Sequence, residues 1–343
     1  ELGVVWWPDV RRLPAHRDRR SVANLVRAST DPTEHSMSPT RRDFLATSAA
    51  ATAAGALGGP TLAWARRARE AQGVFTPIRG NVGYFTMRGG TIGWMVNPDA
   101  VAVVDSQFPA EATTCIAGLQ ERSGNRAVDC LINTHHHGDH TGGNISFRGV
   151  TKMVVAQTKA AEHMRNPPGG EPPADQLYPN VTFAESWSGE AGSEKITARH
   201  YGRAHTSGDV VVTFEQANVA HMGDLVFHRR HPVVDRAAGA TLRNWMTVLD
   251  GAVADHPRDT IYIFGHAAVG LQPVGTWTDL VRFHDYIEAV LTAVGAQIRT
   301  GRSRDEIMAN REPLAGFEDY GPFGNPGARE IRTCAYEEIT TGT

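Results

Sequence analysis

The sequence predicts an α/β protein of four layers, ordered helix, sheet, sheet, helix, with further helices at its C-terminal end. Three observations predict it. Short apolar runs broken by turn residues come in two groups, helical periodicity separates and follows them, and His- and Asp-bearing loops fall at strand ends. The 34 Lys and Arg nearly balance the 37 Asp and Glu. That balance provides no basic face for nucleic acid as the main partner and no surface for acidic lipid. No apolar run reaches the roughly 20 residues of a membrane span. A small-molecule substrate is the expected partner, and oligomeric state is not legible.

Residues 1–36 mix Arg, Pro and Trp without a sustained period and read as an upstream segment outside the fold. Residues 37–65 read as a twin-arginine signal peptide. Met37 leads to Arg41-Arg42-Asp43-Phe44-Leu45, an Ala-rich stretch runs to Leu57, and Ala63-Trp64-Ala65 supplies a small-x-small cleavage site. Export to the periplasm or beyond is expected, by a route that carries proteins already folded. Residues 66–275 are read as the main domain and 276–343 as a helical extension packed on it.

Within the main domain, strands are expected at 83–87, 91–95 and 101–105, with Gly89-Gly90 and Asn97-Pro98-Asp99 as turns. A helix over 110–122 precedes a buried strand at 128–133. A strand at 152–156 and a helix at 158–164 lead into a Pro- and Gly-rich loop, 166–179, of the length that often forms a functional lid. Strands return at 195–200, 210–214 and 219–222. A helix over 242–254 precedes a final buried strand at 260–264. Helical spacing then runs from Trp277 to Arg299, with a short helix near 305–310. Cys115, Cys130 and Cys334 form no metal-type pair, and their spacing requires no disulfide.

The chemistry lies in Asn133-Thr134-His135-His136-His137-Gly138-Asp139-His140-Thr141-Gly142-Gly143-Asn144. This loop follows an apolar strand. Imidazole and carboxylate are natural ligands for hydrolytic Zn²⁺. Four such groups this close together cannot all bind one ion and leave a position open for water, so two ions are expected. His135 and His137 would face one, and Asp139 and His140 the other. His205, Asp224 and His266 follow at later strand ends, where a rigid scaffold hands side chains to loops. His136 is expected to point away from its neighbours. His221, His228 and His231 are read as surface or pocket-wall residues.

Taken in order, Asp105, His135-x-His137-x-Asp139-His140, His205, Asp224 and His266 resemble the five-motif pattern of the metallo-β-lactamase superfamily over residues 80–270. The resemblance implies an αββα sandwich with its metals at one edge. It implies that His135, His137 and His205 hold a first metal and that Asp139, His140 and His266 hold a second. It also implies that Asp224 bridges the two, and that Asp105 orients loop and ligands by hydrogen bonds. The chemistry implied is hydrolysis by a water acidified between two Zn²⁺ ions, with Asp139 and Asp224 as its catalytic carboxylates.

An Asp at position 224 resembles thioesterases, lactonases and phosphodiesterases of this superfamily; its zinc β-lactamases typically carry Cys or Ser there. An ester, thioester, lactone or related bond is therefore the expected target, with β-lactam hydrolysis as the alternative. Iron-dependent oxidation of the persulfide dioxygenase kind shares the same central motif. Arg243, Trp245 and the loop around Tyr178 are candidate substrate contacts, weighed equally against ordinary surface or core roles.

Overall fold

The computed structural model describes residues 73–324 and 327–342. The upstream segment and the signal peptide lie outside the described residues. The first sheet holds seven strands in chain order: β1 (Val74–Arg79), β2 (Val82–Thr86), β3 (Ile92–Val96), β4 (Val101–Val104), β5 (Val128–Asn133), β6 (Thr151–Gln157) and β7 (Val181–Phe183). β1 to β4 pair antiparallel through tight turns, and β4 to β7 pair parallel. The switch is physical: a parallel neighbour needs a crossover. Helix α1 (Pro109–Ser123) supplies the first, between β4 and β5.

The second sheet runs β15 (Val274–Gly275), β13 (Ile261–Ile263), β11 (Val219–His221), β10 (Val211–Phe214), β9 (Glu194–Arg199) and β8 (Ser186–Ala191). A separate pair joins β12 (Phe227–His228) to β14 (His266–Ala267) in parallel.

Three apolar clusters define the four layers. Phe85, Trp94, Val103 and Leu131 pack under Ala112, Cys115 and Leu119 of α1. Val82, Met95, Val104 and Ile132 meet Ile196, Val212, Phe214 and Ile263 between the sheets. Val211, Ala220 and Tyr262 face Trp245, Phe283, Ile287 and Ala335 on the far side. β4 thus sends Val103 outward and Val104 inward, both buried, as a strand covered on two faces requires. The far layer consists of α4 (Leu242–Asp255), α5 (Trp277–Arg299) and α7 (Ile331–Thr341). Smaller helices are α2 (Gly138–Thr141), α3 (Thr158–Arg165) and α6 (Arg304–Ala309). The residues from α5 onward therefore share one core with the second sheet.

The expected strands and helices are present with ends moved by a residue or two. Several elements were not anticipated. β1, β7, β8 and α7 carry weak or broken periodicity, and β1 and β8 present mostly half-buried or exposed side chains. The strand ending at Ile263 is not the last, because the chain returns as β14 and β15. None of the three cysteines is joined in a disulfide, and all are buried. Burial pushes the Cys130 and Cys334 thiols up to about 12. No helix among the described residues is long and apolar enough to cross a membrane.

Candidate metal centre

At the end of β5 the chain turns out of the sheet, and Asp105, just past β4, fixes how it turns. Asp105 Oδ1 accepts from the Thr134 amide at 2.8 Å, and Oδ2 accepts from the Thr134 hydroxyl at 2.7 Å. The same Oδ2 lies 2.7 Å from His140 Nδ1. Asp105 does this from a left-handed backbone, φ 64°, a conformation that costs energy for a side-chain-bearing residue and persists only where its surroundings hold it. After the extended triplet His135–His137, the single-turn helix α2 presents Asp139 and His140, with His137 at its N-cap.

The later segments bring the remaining groups to the same place. Ligand-capable atoms of His135, His137, His205 and Asp224 lie within 4.8 Å of one another, as do those of Asp139, His140 and His266. Asp224 stands between the two sets. Its Oδ2 is 3.5 Å from His205 Nε2 and 3.4 Å from His266 Nε2, and its Oδ1 is 3.1 Å from His140 Nε2. Asp139 completes the second set, with Oδ2 3.1 Å from His266 Nε2.

Ring orientation follows from the groups behind each imidazole. His205 Nδ1 lies 2.8 Å from the Val233 carbonyl, which can only accept, so that nitrogen carries the proton and Nε2 is bare. His137 Nε2 lies 2.8 Å from Asp235 Oδ2, which leaves Nδ1 facing inward. With one proton on each ring, two lone pairs face each other at 2.9 Å. His135 Nε2 is buried without a hydrogen-bond partner. Bare nitrogens converging beside a buried carboxylate form a donor set that a divalent cation satisfies and that water-free protein does not.

The charges divide between the two sets. Burial and the neighbouring His140 charge hold His135 well below its usual range, against the pull of Asp224. Burial, with His137 beside it, takes His205 down to about 3. In the second set burial also opposes the charge, but Asp224 with Asp139 raises His140 well above its usual range, and Asp224 with its own and Asp139's hydrogen bonds raises His266 to about 9. Burial works against the Asp224 carboxylate too, yet His266 and His140 hold it well below the ordinary carboxylate range.

Two glycines are required by contact. A Cβ on Gly90 would sit 2.2 Å from His140 Cε1, and one on Gly265 would sit 2.0 Å from Asp224 Oδ1. His136 lies outside both sets but does not point away from its neighbours as expected: its ring is 4.6 Å from that of His137 and 4.9 Å from that of His163, and its Nε2 is 4.0 Å from Asp235 Oδ2. His221 is fully buried and structural: its Nε2 lies 3.0 Å from the Thr91 carbonyl, and its Nδ1 accepts from the Gly223 amide. His228 and His231 are half-buried wall residues, held by the Gln272 carbonyl and the Tyr286 hydroxyl.

Trp245 is fully buried and donates Nε1 to the Leu225 carbonyl, so of the two roles weighed for it the core one holds: it backs the His205 ring at 5.7 Å. Arg243 lies beside Glu338 at 3.7 Å. The 166–179 loop is tied down near its end, where Gln176 donates to the Thr141 carbonyl and Arg165 lies over the Tyr178 ring. Asp235 and the Val233 carbonyl, which orient two of the rings, carried no signal in a sequence read for histidine spacing.

A family model described as the metallo-beta-lactamase superfamily matches residues 86–266, which span both sets of ligand-capable groups. The chain belongs to the metallo-beta-lactamase superfamily. A second model, for the twin-arginine translocation pathway signal sequence, matches residues 38–58, and the protein is exported by that pathway.

Among curated superfamily relatives, metallo-beta-lactamase type 2 of Bacillus sp. (strain 170) is 25% identical over 173 residues, 50% of this chain and 63% of that protein. Hydroxyacylglutathione hydrolase of Methylococcus capsulatus is 30% identical over 129 residues, 37% of this chain and 43% of that one. The chain thus matches less than two thirds of the length of either relative. Among solved structures, a metallo-beta-lactamase from Pontibacter korlensis aligns with a TM-score of 0.51 at 20% identity, covering 63% of this chain and 99% of that one. The sec-alkylsulfatase Pisa1 from Pseudomonas sp. aligns with a TM-score of 0.60 at 12% identity, covering 77% and 50%. These likenesses establish the shared αββα sandwich.

Proposed function

We propose that this superfamily member is an exported dinuclear zinc hydrolase acting on an ester, thioester, lactone or related bond. The observation that carries the reading is the pair of ligand sets on either side of Asp224, with His135 Nε2 buried and unpartnered in the first. His135, His137 and His205 would hold one ion, Asp139, His140 and His266 the other, and Asp224 would touch both. When bound, two such ions would supply Lewis acidity and lower the pKa of a bound water toward neutrality.

The chain's own residues do the positioning. Asp235 and the Val233 carbonyl aim His137 and His205 inward, and Asp105 aims His140. Asp139 is the most exposed carboxylate of the centre and could accept a hydrogen bond from an attacking water. Phe227, stacked against His266 at 5.5 Å, and Trp245 behind His205 keep bulk water from the back of the centre.

The test is metal content together with turnover of an ester, a thioester, a lactone and a chromogenic cephalosporin by the metal-loaded protein. Chelator-sensitive hydrolysis lost in both Asp139→Asn and His137→Ala is expected, and turnover retained in both variants would sink the reading. Cleavage of the cephalosporin is the second outcome, favoured by the 25% identity with metallo-beta-lactamase type 2. Bound iron with oxygen consumption, in place of zinc with hydrolysis, would move the protein to the oxidative branch.

A further inference from the structure

Beyond the metal centre lies a cavity of about 510 Å³, within the size range of small-molecule sites. Its walls include Tyr286, Met308, Arg311, Phe323, Glu330 and Arg332. Phe323 divides it from the centre: the Phe323 ring lies 4.4 Å from that of His266 and 5.6 Å from that of Phe227. The segment 231–234 forms a second shared wall. On one side it is hydrogen-bonded to Gly321 and Arg329, and on the other the Val233 carbonyl holds His205.

The charge on these walls is uneven. Arg332 donates to the backbone carbonyls of Asn310 and Glu312, partners that fix the guanidinium without cancelling its charge. Arg311 is exposed and has no ion-pair or hydrogen-bond partner among the described residues. Glu330 is the one carboxylate on the wall and already accepts from the Thr333 amide at the start of α7. His231 and Tyr286 are joined at 2.6 Å. Burial holds the imidazole below its usual range and the phenol above its own, so both stay neutral.

We propose that this cavity is a subsite for the carboxylate end of an amphipathic acid, with the acid group on Arg311 and Arg332 and the apolar chain along Tyr286, Met308 and Phe323. Arginine suits the role because its planar fork matches a carboxylate. The proposal rests on the hydrolase reading and narrows it: the bond to be cut sits at the metal centre, in a molecule whose acid group reaches past Phe323.

The experiment is calorimetric titration of the metal-loaded full chain with octanoate and with octanamide, equal in length and differing in charge. Octanoate should bind about tenfold or more tightly, the worth of a charge-assisted hydrogen bond. Arg311→Gln and Arg332→Gln should each reduce that preference. Arg332 also ties down its neighbours, so the exposed Arg311 gives the variant whose folding is not in question. Equal affinity for the two ligands would overturn the subsite. So would a full preference surviving Arg311→Gln, as capture of the carboxylate by the metals would produce. Binding requires no turnover, so the preference appearing in a protein that cleaves nothing would overturn the hydrolase reading alone.

Discussion

Asp235 Oδ2 lies 2.8 Å from His137 Nε2 and turns the opposite ring nitrogen toward His205, 2.9 Å away. A carboxylate behind a ligating imidazole fixes its tautomer and raises its basicity. Asp235→Ala should therefore leave the fold intact and weaken metal binding by about 10- to 100-fold, by analogy with such partners elsewhere. Competition with a chromogenic chelator measures this directly. Unchanged affinity would show that His137 needs no such support.

Gly265 tests the centre from the other side. A methyl group there would meet Asp224 Oδ1 at 2.0 Å and the Gly223 backbone at 3.0 Å, and neither can yield without moving the Asp224 carboxylate or the turn beneath it. Gly265→Ala should cost about 1–3 kcal/mol of stability, as overpacking does. It should also reduce the metal bound per chain. A variant that folds with its full metal complement would mean that Asp224 is free to relocate.

Metal removal should be visible in stability as well as in activity. An ion held about 1,000-fold above its dissociation constant contributes about 4 kcal/mol by mass action. Chelated protein should therefore melt several degrees lower and recover when zinc is restored. A melting temperature indifferent to chelation would argue against buried ions.

Asp279 offers a pH test away from the centre. It closes the capping box at the start of α5, accepting from the Thr276 amide at 2.9 Å, and lies 3.2 Å from Arg229. Burial opposes its charge, but His228, the Thr276 amide and Arg229 hold its pKa below the ordinary 3.8. A folded pKa below the unfolded one stabilises the protein above about pH 4, and that contribution is lost as pH falls through the folded value. Asp279→Asn should cost about 1–2 kcal/mol near pH 7, by loss of cap and ion pair together. The gap from wild type in urea denaturation should close below pH 4. A gap that stayed constant with pH would remove the charge from the account.

Most of the fold was legible because the buried strands carry their own signal. Val101–Val104 is apolar on both faces, Val128–Asn133 is buried on both but for Asp129, and α1 and α5 repeat at helical spacing. Glu194–Arg199 alternates buried and less buried positions, as a one-sided strand should. β1 and β8 lie at sheet edges with half their side chains toward water, so they differ little from loop. The groups gathered by the two sets of ligand atoms could be picked out because histidine clusters are rare. Their supports could not be. Asp235, Val233 and Phe323 act only through contacts made when the chain from 231 to 332 folds back, and no local pattern encodes such a meeting.

The cysteines bear on where this exported protein can finish folding. Cys115 lies on the buried face of α1, Cys130 lies between the sheets, and Cys334 contacts the Val234 carbonyl. None of them contributes a cross-link, so reaching the native state needs no oxidant. A reducing interior and an oxidising exterior are then equivalent surroundings for this chain, and its passage between them leaves the covalent structure of its thiols unaltered.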